Sequence, residues 1–397
     1  MKYVIVGNGA AGISALKVIR AKDPSGEITI IGDEPHPFYS RVLTSHLIGG
    51  KVSLGDLFIE GEDVCQRYNA RQLLATKAEK VDTASKTIYL SDGSELQYDK
   101  LLLATGASAQ ELSVPGSALL GVFTLRTLND AVNIKSWSEG LKSAVVVGGG
   151  LVGFKAMEAL LQRGLSVSMV VSSPQVLSRV LDPTGSELVL HHLESIGVEV
   201  LLREDVAELY GGGRVSSLRL KSGKVLDCKL VVVGKGVVPN ISLAKEAGLA
   251  CNRGILVDDR MATSAPDVYA AGDVVECWDA AAGGNRVNAL WYNAIQQGKV
   301  AGHNMAGEEV HYSHSIAMNS LSIGDLTIYT MGVTQPSGSG FTEKKYLNKR
   351  KRQYRKLVYR SGRLVGAIVI GEDRRVGMAR CAIAYGKEKQ PIYRLIA

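Results

Sequence analysis

The chain opens on an apolar run, "YVIVG", that ends in glycine and passes into "AAGISALKVIRAKD", whose apolar positions recur at helical spacing. A second apolar run, "ITIIG", follows. Strand, glycine turn, helix and strand in that order predict a βαβ unit in a parallel sheet. The succession returns in "SAVVVGGGLVGFKAMEALLQRG" and "SVSMVV". Its period is too long for a solenoid and predicts two related nucleotide-binding domains. "KLLLATGAS", "KLVVVGKGVVPN" and "DVYAAGDVVE" add apolar strands that end in glycine turns. From about Tyr312 the texture changes, and "RKLVYRSGRLVGAIVIGED" predicts a hairpin turning at Ser361 and Gly362.

The first turn, "GNGAAG", places Gly7, Gly9 and Gly12 in G-x-G-x-x-G spacing, with Ala11 between. Gly7 permits the tight turn, Gly9 lets backbone N–H groups approach a pyrophosphate, and Gly12 lets helix and strand pack closely. The helix start adds unpaired N–H groups and a partial positive charge. Asp33 or Glu34, at the end of the next strand, is placed to accept hydrogen bonds from a ribose. Gly148, Gly150 and Gly153 repeat the spacing around Leu151 and Val152. At the matching strand end an acid is expected, but Val171, Ser172 and Ser173 stand there. The expected fold class is α/β, with two Rossmann-like domains and a C-terminal α+β domain. Their expected extents are 1–110 with 237–311, 111–236, and 312–397.

With 397 residues, two or three domains are expected, and 46% hydrophobic with 21% charged residues suits a globular enzyme. The net charge is +7, and "KKYLNKRKRQYRK", Lys344 to Lys356, carries eight basic residues and no acid. That run reads as solvated surface or as a docking site for an acidic protein. Aromatics are few and no recognition motif is visible, so nucleic acid is not expected as a partner. Cys65, Cys228, Cys251, Cys277 and Cys381 form no C-x-x-C or C-x-x-x-x-C, which supports no redox disulfide, zinc site or iron–sulfur site. Inert thiols in a reducing compartment are expected. The first residues enter a strand without a cationic leader, and no apolar run approaches the ~18 residues of a membrane span. A cytoplasmic protein without a membrane partner is therefore expected. "HYSH", His311 to His314, lacks a third metal ligand, and His191-His192 lies on a predicted helix, so no metal is expected.

"GNGAAG", "GDEPHPFYSR", "LLLATGA", "GGGLVG" and "VYAAGD" occur in the order found in FAD-dependent pyridine-nucleotide oxidoreductases, which this chain resembles over nearly its whole length. "PFYSRVLTSHL" and the C-terminal region are similar to the branch with rubredoxin reductases and the flavin module of NAD(P)H nitrite reductases. The resemblance implies FAD on Gly7–Gly12, its ribose near Asp33 and Glu34, Arg41 on the flavin nucleotide and the Val81 backbone at the adenine. It places Ala104, Thr105 and Gly106 against the cofactor, Gly272 and Asp273 at its ribityl or phosphate portion, and Trp291 near the flavin ring. His46 stands where oxygenase-linked reductases carry a flavin-neighbouring lysine, and it supports no lysine-type role. The C-x-x-x-x-C of disulfide-reducing members is absent.

In that family the second turn holds NAD(P). Ser172 and Ser173 are able to hydrogen-bond a 2′-hydroxyl or a 2′-phosphate, but no arginine adjoins them in the chain and Arg179 is several residues off. NADH is accordingly favoured over NADPH. Lys155 replaces a glutamate common among relatives; it is expected to pair with Glu158, or to meet nucleotide phosphate or an acidic partner. Three readings follow. The first is an NAD(P)H-dependent flavin reductase passing electrons to an acidic rubredoxin- or ferredoxin-like protein. The second is the FAD subunit of a larger complex relaying electrons from iron–sulfur centres to NAD+. The third is a non-catalytic flavoprotein that binds a partner.

Overall fold

The computed structural model describes residues 1–313, 315–371 and 376–385. By contact they fall into two compact units, Met1–Ser40 with Gly55–Ser108 and Val238–Ile316, and Arg41–Leu54 with Ala109–Val237 and the chain from Ala317.

The first unit is built on a five-stranded sheet in the order Val268–Ala270, Lys100–Leu103, Lys2–Val6, Glu27–Ile31, Arg71–Leu73. Every pairing in it is parallel. Ile5, Ile30 and Leu101 to Leu103 are fully buried, as expected for strands covered by helices on both faces. One covering helix, Ala10–Lys22, turns Leu16 and Ile19 into this core. Its back is packed against the Trp291–Met305 helix at unusually short range. Glycine makes that approach possible: a Cβ on Gly298 would lie 2.2 Å from the Ala11 carbonyl oxygen. The same unit contains a three-stranded antiparallel sheet, Ala78–Asp82, Thr87–Leu90 and Glu95–Gln97.

The second unit repeats the plan. Its parallel sheet runs Glu199–Leu202, Ser166–Val171, Ser143–Val147, Val231–Val233, Val122–Thr124. Two further elements share the unit. The Arg41–Leu54 segment, expected within the first domain, places its Thr44–Ile48 helix against the Leu128–Trp137 and Leu151–Gln162 helices. The C-terminal region forms a five-stranded antiparallel sheet in the order Met318–Ile323, Leu326–Gly332, Arg363–Ile370, Gln353–Arg360, Phe341–Asn348, followed by the Val376–Tyr385 helix. Its central hairpin turns at Ser361 and Gly362, whose φ values of +50° and +77° match the primed turns that suit twisted strands.

The basic run Lys344 to Lys356 is not one solvated face. It spans two paired strands and the turn between them, and of its eight cations Lys356 alone is buried. Lys356 is 2% exposed and bridges Asp182 at 3.5 Å and Glu343 at 2.8 Å. Lys345 reaches the same two carboxylates, Lys349 pairs with Glu187, and Arg352 pairs with Asp325. Arg350 and Lys351, at the hairpin tip, are exposed and have no ion pair among the described residues. Among the described residues, no helix is long and apolar enough to cross a membrane.

Candidate functional site

In the first turn Gly7 has φ +115°, and a Cβ there would sit 2.1 Å from the Ala104 carbonyl oxygen. A Cβ on Gly12 would lie 2.0 Å from the Gly7 oxygen. Both positions therefore exclude a side chain. Gly9 is different: its backbone is extended, it begins the Ala10–Lys22 helix, and nothing lies within 4 Å of an added Cβ. The helix start has no side-chain cap and no acid in its first turn. Its N–H groups and the positive end of its dipole therefore face open space, an arrangement that favours an anion.

Around this turn stand the other expected residues of the unit. Asp33 is exposed past the strand end, and Glu34 accepts the Tyr39 hydroxyl at 2.8 Å. Val81 is buried, its backbone paired opposite Ile88. Thr105 donates to the Asn240 carbonyl at 2.9 Å, and the Asn240 amide donates to the Thr105 carbonyl. Gly106, at φ +66°, accepts the Asn240 N–H at 3.0 Å. Gly272, at φ +91°, donates its N–H to the Gln297 side chain at 2.9 Å, and its missing Cβ would meet the Ala11 methyl at 3.2 Å. Asp273 follows it, half-buried. Trp291 begins the Trp291–Met305 helix and stacks on Phe38, with ring centroids 6.0 Å apart. Asn240 and Gln297 were missed from the sequence, because single amides far along the chain carry no spacing signal. Arg41 lies in the other unit, where it donates to the Arg126 carbonyl.

The second turn has the same construction. Gly148 has φ +124° and faces the Gly234 carbonyl, 2.4 Å from a built Cβ. Gly153 is 2.0 Å from the Gly148 oxygen by the same measure. Gly150 begins the Leu151–Gln162 helix with open space around it and no side-chain cap. Leu151 and Val152 form the first helical turn, half-buried. Two other helices of this unit are capped by side chains: Thr127 closes a capping box on Leu128–Trp137, and Asp182 accepts the Gly185 N–H at the start of Pro183–Ser195.

One turn into the Leu151–Gln162 helix, Lys155 pairs with Glu158 at 3.2 Å, and Lys51 reaches the same carboxylate at 3.4 Å. His46 faces this group. Burial and the ammoniums of Lys155 and Lys51 push its pKa below the usual value, with Glu158 opposing. At the strand end the Val171 side chain is buried against the turn, 2.6 Å from a Cβ built on Gly149. Ser172 is exposed, and the Ser173 hydroxyl is turned back onto the Gln175 carbonyl at 2.5 Å. Arg203, overlooked in the sequence, donates its N–H to the Ser173 carbonyl at 3.2 Å. The signal available was sheet register: in a parallel sheet the residue after the third strand abuts the end of the second.

No group of three metal-ligating side chains exists among the described residues. His192 is buried, bound to the Ile323 carbonyl through Nε2 at 2.8 Å and accepting from Arg352 at Nδ1. His311 binds Asp259, and His314 lies outside the described residues. All five cysteines are free. Burial pushes the Cys65 and Cys277 thiols up to about 11 and Cys228 to about 12, which leaves them inert as nucleophiles near neutrality.

A family model described as pyridine nucleotide-disulphide oxidoreductase matches residues 1–298, and one described as rubredoxin NAD+ reductase C-terminal domain matches residues 318–386. The nitrite reductase [NAD(P)H] of Bacillus subtilis is 35% identical over 379 residues, covering 94% of this chain and 46% of its own. The assimilatory nitrate reductase electron transfer subunit of the same organism is 31% identical over 375 residues, with 94% and 48% covered. The chain spans about half the length of these two relatives. The solved NADH:rubredoxin oxidoreductase of Clostridium acetobutylicum superposes with TM-score 0.82 at 27% identity, covering 98% of this chain and 97% of that one.

Proposed function

This chain belongs to the pyridine nucleotide-disulphide oxidoreductase family, and on that premise we propose that it holds FAD on the Gly7–Gly12 turn and NAD(P)H on the Gly148–Gly153 turn, passing electrons to or from an iron or iron–sulfur protein. The observation that carries this reading is the pair of helix starts at Gly9 and Gly150, each without a side-chain cap and with nothing within 4 Å of an added Cβ. FAD held there would supply the redox chemistry, hydride exchange with a nicotinamide and electron exchange with the acceptor protein.

The chain's own residues bind, orient and insulate. The N–H groups following Gly9 and Gly150 hold the two pyrophosphates. Asp33 accepts from the adenosine ribose of FAD. The Thr105–Asn240 and Gly272–Gln297 hydrogen bonds fix the loops expected to line the flavin nucleotide, and Trp291, braced by Phe38, flanks its ring. No side chain is assigned a proton-transfer role, since hydride transfer requires none. In functional terms the chain divides into an FAD domain (1–110 with 237–311), a nucleotide domain (111–236) and a C-terminal interface domain (312–397). Five thiols without a disulfide suit a reducing, cytoplasmic setting.

The acceptor is an acidic electron-transfer protein, with Arg350 and Lys351 the remaining free cations of the basic hairpin. A second reading, the flavin subunit of a larger redox complex, is favoured by the half-length match to an electron transfer subunit. Anaerobic mixing of the yellow protein with NADH or NADPH tests both. The expected result is rapid bleaching of the flavin band, followed by recovery on adding oxidised rubredoxin or ferredoxin. Recovery only with a co-purifying iron–sulfur subunit selects the second reading. A protein that stays colourless after incubation with FAD, or a flavin that neither nucleotide bleaches, overturns the assignment.

A further inference from the structure

We propose that Arg203, with Ser172, forms a clasp for a 2′-phosphate, so that the second turn selects NADPH; this rests on the reading that the turn holds a nicotinamide dinucleotide. It replaces the sequence expectation of NADH, which followed from the lack of an arginine next to the serines in the chain.

Parallel pairing decides the geometry. Val171 ends its strand opposite Leu202, the last residue of the neighbouring strand. The residues just beyond these two ends are therefore side by side. The Arg203 N–H donates to the Ser173 carbonyl at 3.2 Å and the Glu204 N–H to the Val171 carbonyl at 3.1 Å. Arg203 takes this place in the left-handed region, at φ +59°, which bends the chain directly after the strand. Its side chain is exposed and has no partner among the described residues.

The surrounding charges favour an anion. A turn that selects a free 2′-hydroxyl presents a carboxylate at the strand end, and Val171 instead offers buried methyl groups against Gly149. The other acids of this edge are engaged elsewhere. Asp205 binds Lys235 at 2.9 Å, Glu199 binds Lys224 and Ser168, and Glu204 accepts the Ser222 N–H. The Arg203 guanidinium and the exposed hydroxyl of Ser172 are thus left free at this strand end. A planar guanidinium is suited to grip a phosphate with two parallel N–H bonds, while it has nothing to offer a hydroxyl acceptor that water does not.

The test uses half-molecules that differ only in the group at issue. FAD-loaded wild type is titrated calorimetrically with 2′,5′-ADP and with 5′-AMP, at low and at high salt. The expected result is at least tenfold tighter binding of 2′,5′-ADP, an advantage that shrinks as salt rises. Arg203→Ala removes most of the advantage and leaves 5′-AMP binding within twofold of wild type, and Arg203→Lys restores part of it. Equal affinities in wild type, no binding of 2′,5′-ADP, or a tenfold advantage that survives in Arg203→Ala each overturn the proposal. The outcome is separable from the proposed function. Bleaching by NADH and NADPH with no 2′,5′-ADP advantage sinks the clasp alone, whereas failure of both nucleotides to bleach the flavin sinks the enzyme reading.

Discussion

Gly7 and Gly148 hold the same place in their two units. Each has a strongly positive φ, each faces a carbonyl oxygen of the adjacent strand's end, and each is followed by an open N-cap glycine and a glycine that touches its oxygen. Past the next strand the turns diverge. The first leads to Asp33 and Glu34, the second to Val171, Ser172 and Ser173, with Arg203 brought alongside. The phosphate cradle proposed at each turn is thus backbone chemistry that any nucleotide with a pyrophosphate would satisfy. What distinguishes one nucleotide from another is a few side chains at the strand end.

The largest expected effect comes from filling the cradles one at a time. Gly12→Val and Gly153→Val each place a side chain 2.0 Å from a backbone oxygen that has no room to move. Each is expected to cost about 3 kcal/mol, the upper range for overpacking. Gly12→Val should yield colourless protein. Gly153→Val should stay yellow while losing bleaching by NADH and NADPH. Absorbance at the flavin band and a urea midpoint check both, and loss of colour in Gly153→Val breaks the division of labour between the turns.

Next in size is the contrast between open and capped helix starts within the second unit. Asp182 caps the Pro183–Ser195 helix and also receives the Tyr354 hydroxyl at 2.7 Å and the buried Lys356. Burial pushes its carboxyl up, but the Tyr354 hydroxyl, the Gly185 N–H, Lys356 and Lys345 outweigh this and hold it below the usual value. Lys356→Ala leaves the buried Asp182 carboxylate without its inner cation and is expected to destabilise by about 3 kcal/mol. Because the folded pKa lies below the unfolded one, the Asp182 contribution is complete above about pH 4 and is lost as pH falls through the folded value. Urea midpoints of wild type and Asp182→Asn should therefore converge in acid and separate toward neutrality.

A smaller effect concerns the helix that follows the second turn. Lys155→Glu replaces a cation facing His46 with an anion, so the imidazole should titrate at higher pH than in wild type, as read from its Hε1 shift by NMR. An unchanged titration would mean that Lys155 and His46 do not feel one another. Smallest of all, iodoacetamide should modify exposed Cys381 first in native protein, with Cys65, Cys228 and Cys277 reacting only on unfolding. Peptide mass mapping reads the order.

The basic run from Lys344 shows where reading along the chain stops being enough. Its composition is plain, yet of its eight cations, spread over two paired strands and the turn between them, Lys356 alone is buried. Lys356 finds Asp182 and Glu343, residues that no local pattern connects to it. Trp291 poses the same problem: its partner Phe38 is set by packing between distant segments.

Apolar runs bounded by glycines were sufficient to specify both βαβ units, the two glycine turns and the C-terminal hairpin, since strand burial, positive φ and helix dipoles are consequences of short stretches of residues. Folding alone decided that Arg41–Leu54 packs with the second unit, that Asn240 and Gln297 fasten the loops of the first, and that Arg203 stands beside Ser173. Those placements depend on which strands become neighbours and in what register. That is a property of the whole sheet, and it is visible only when every strand is in place.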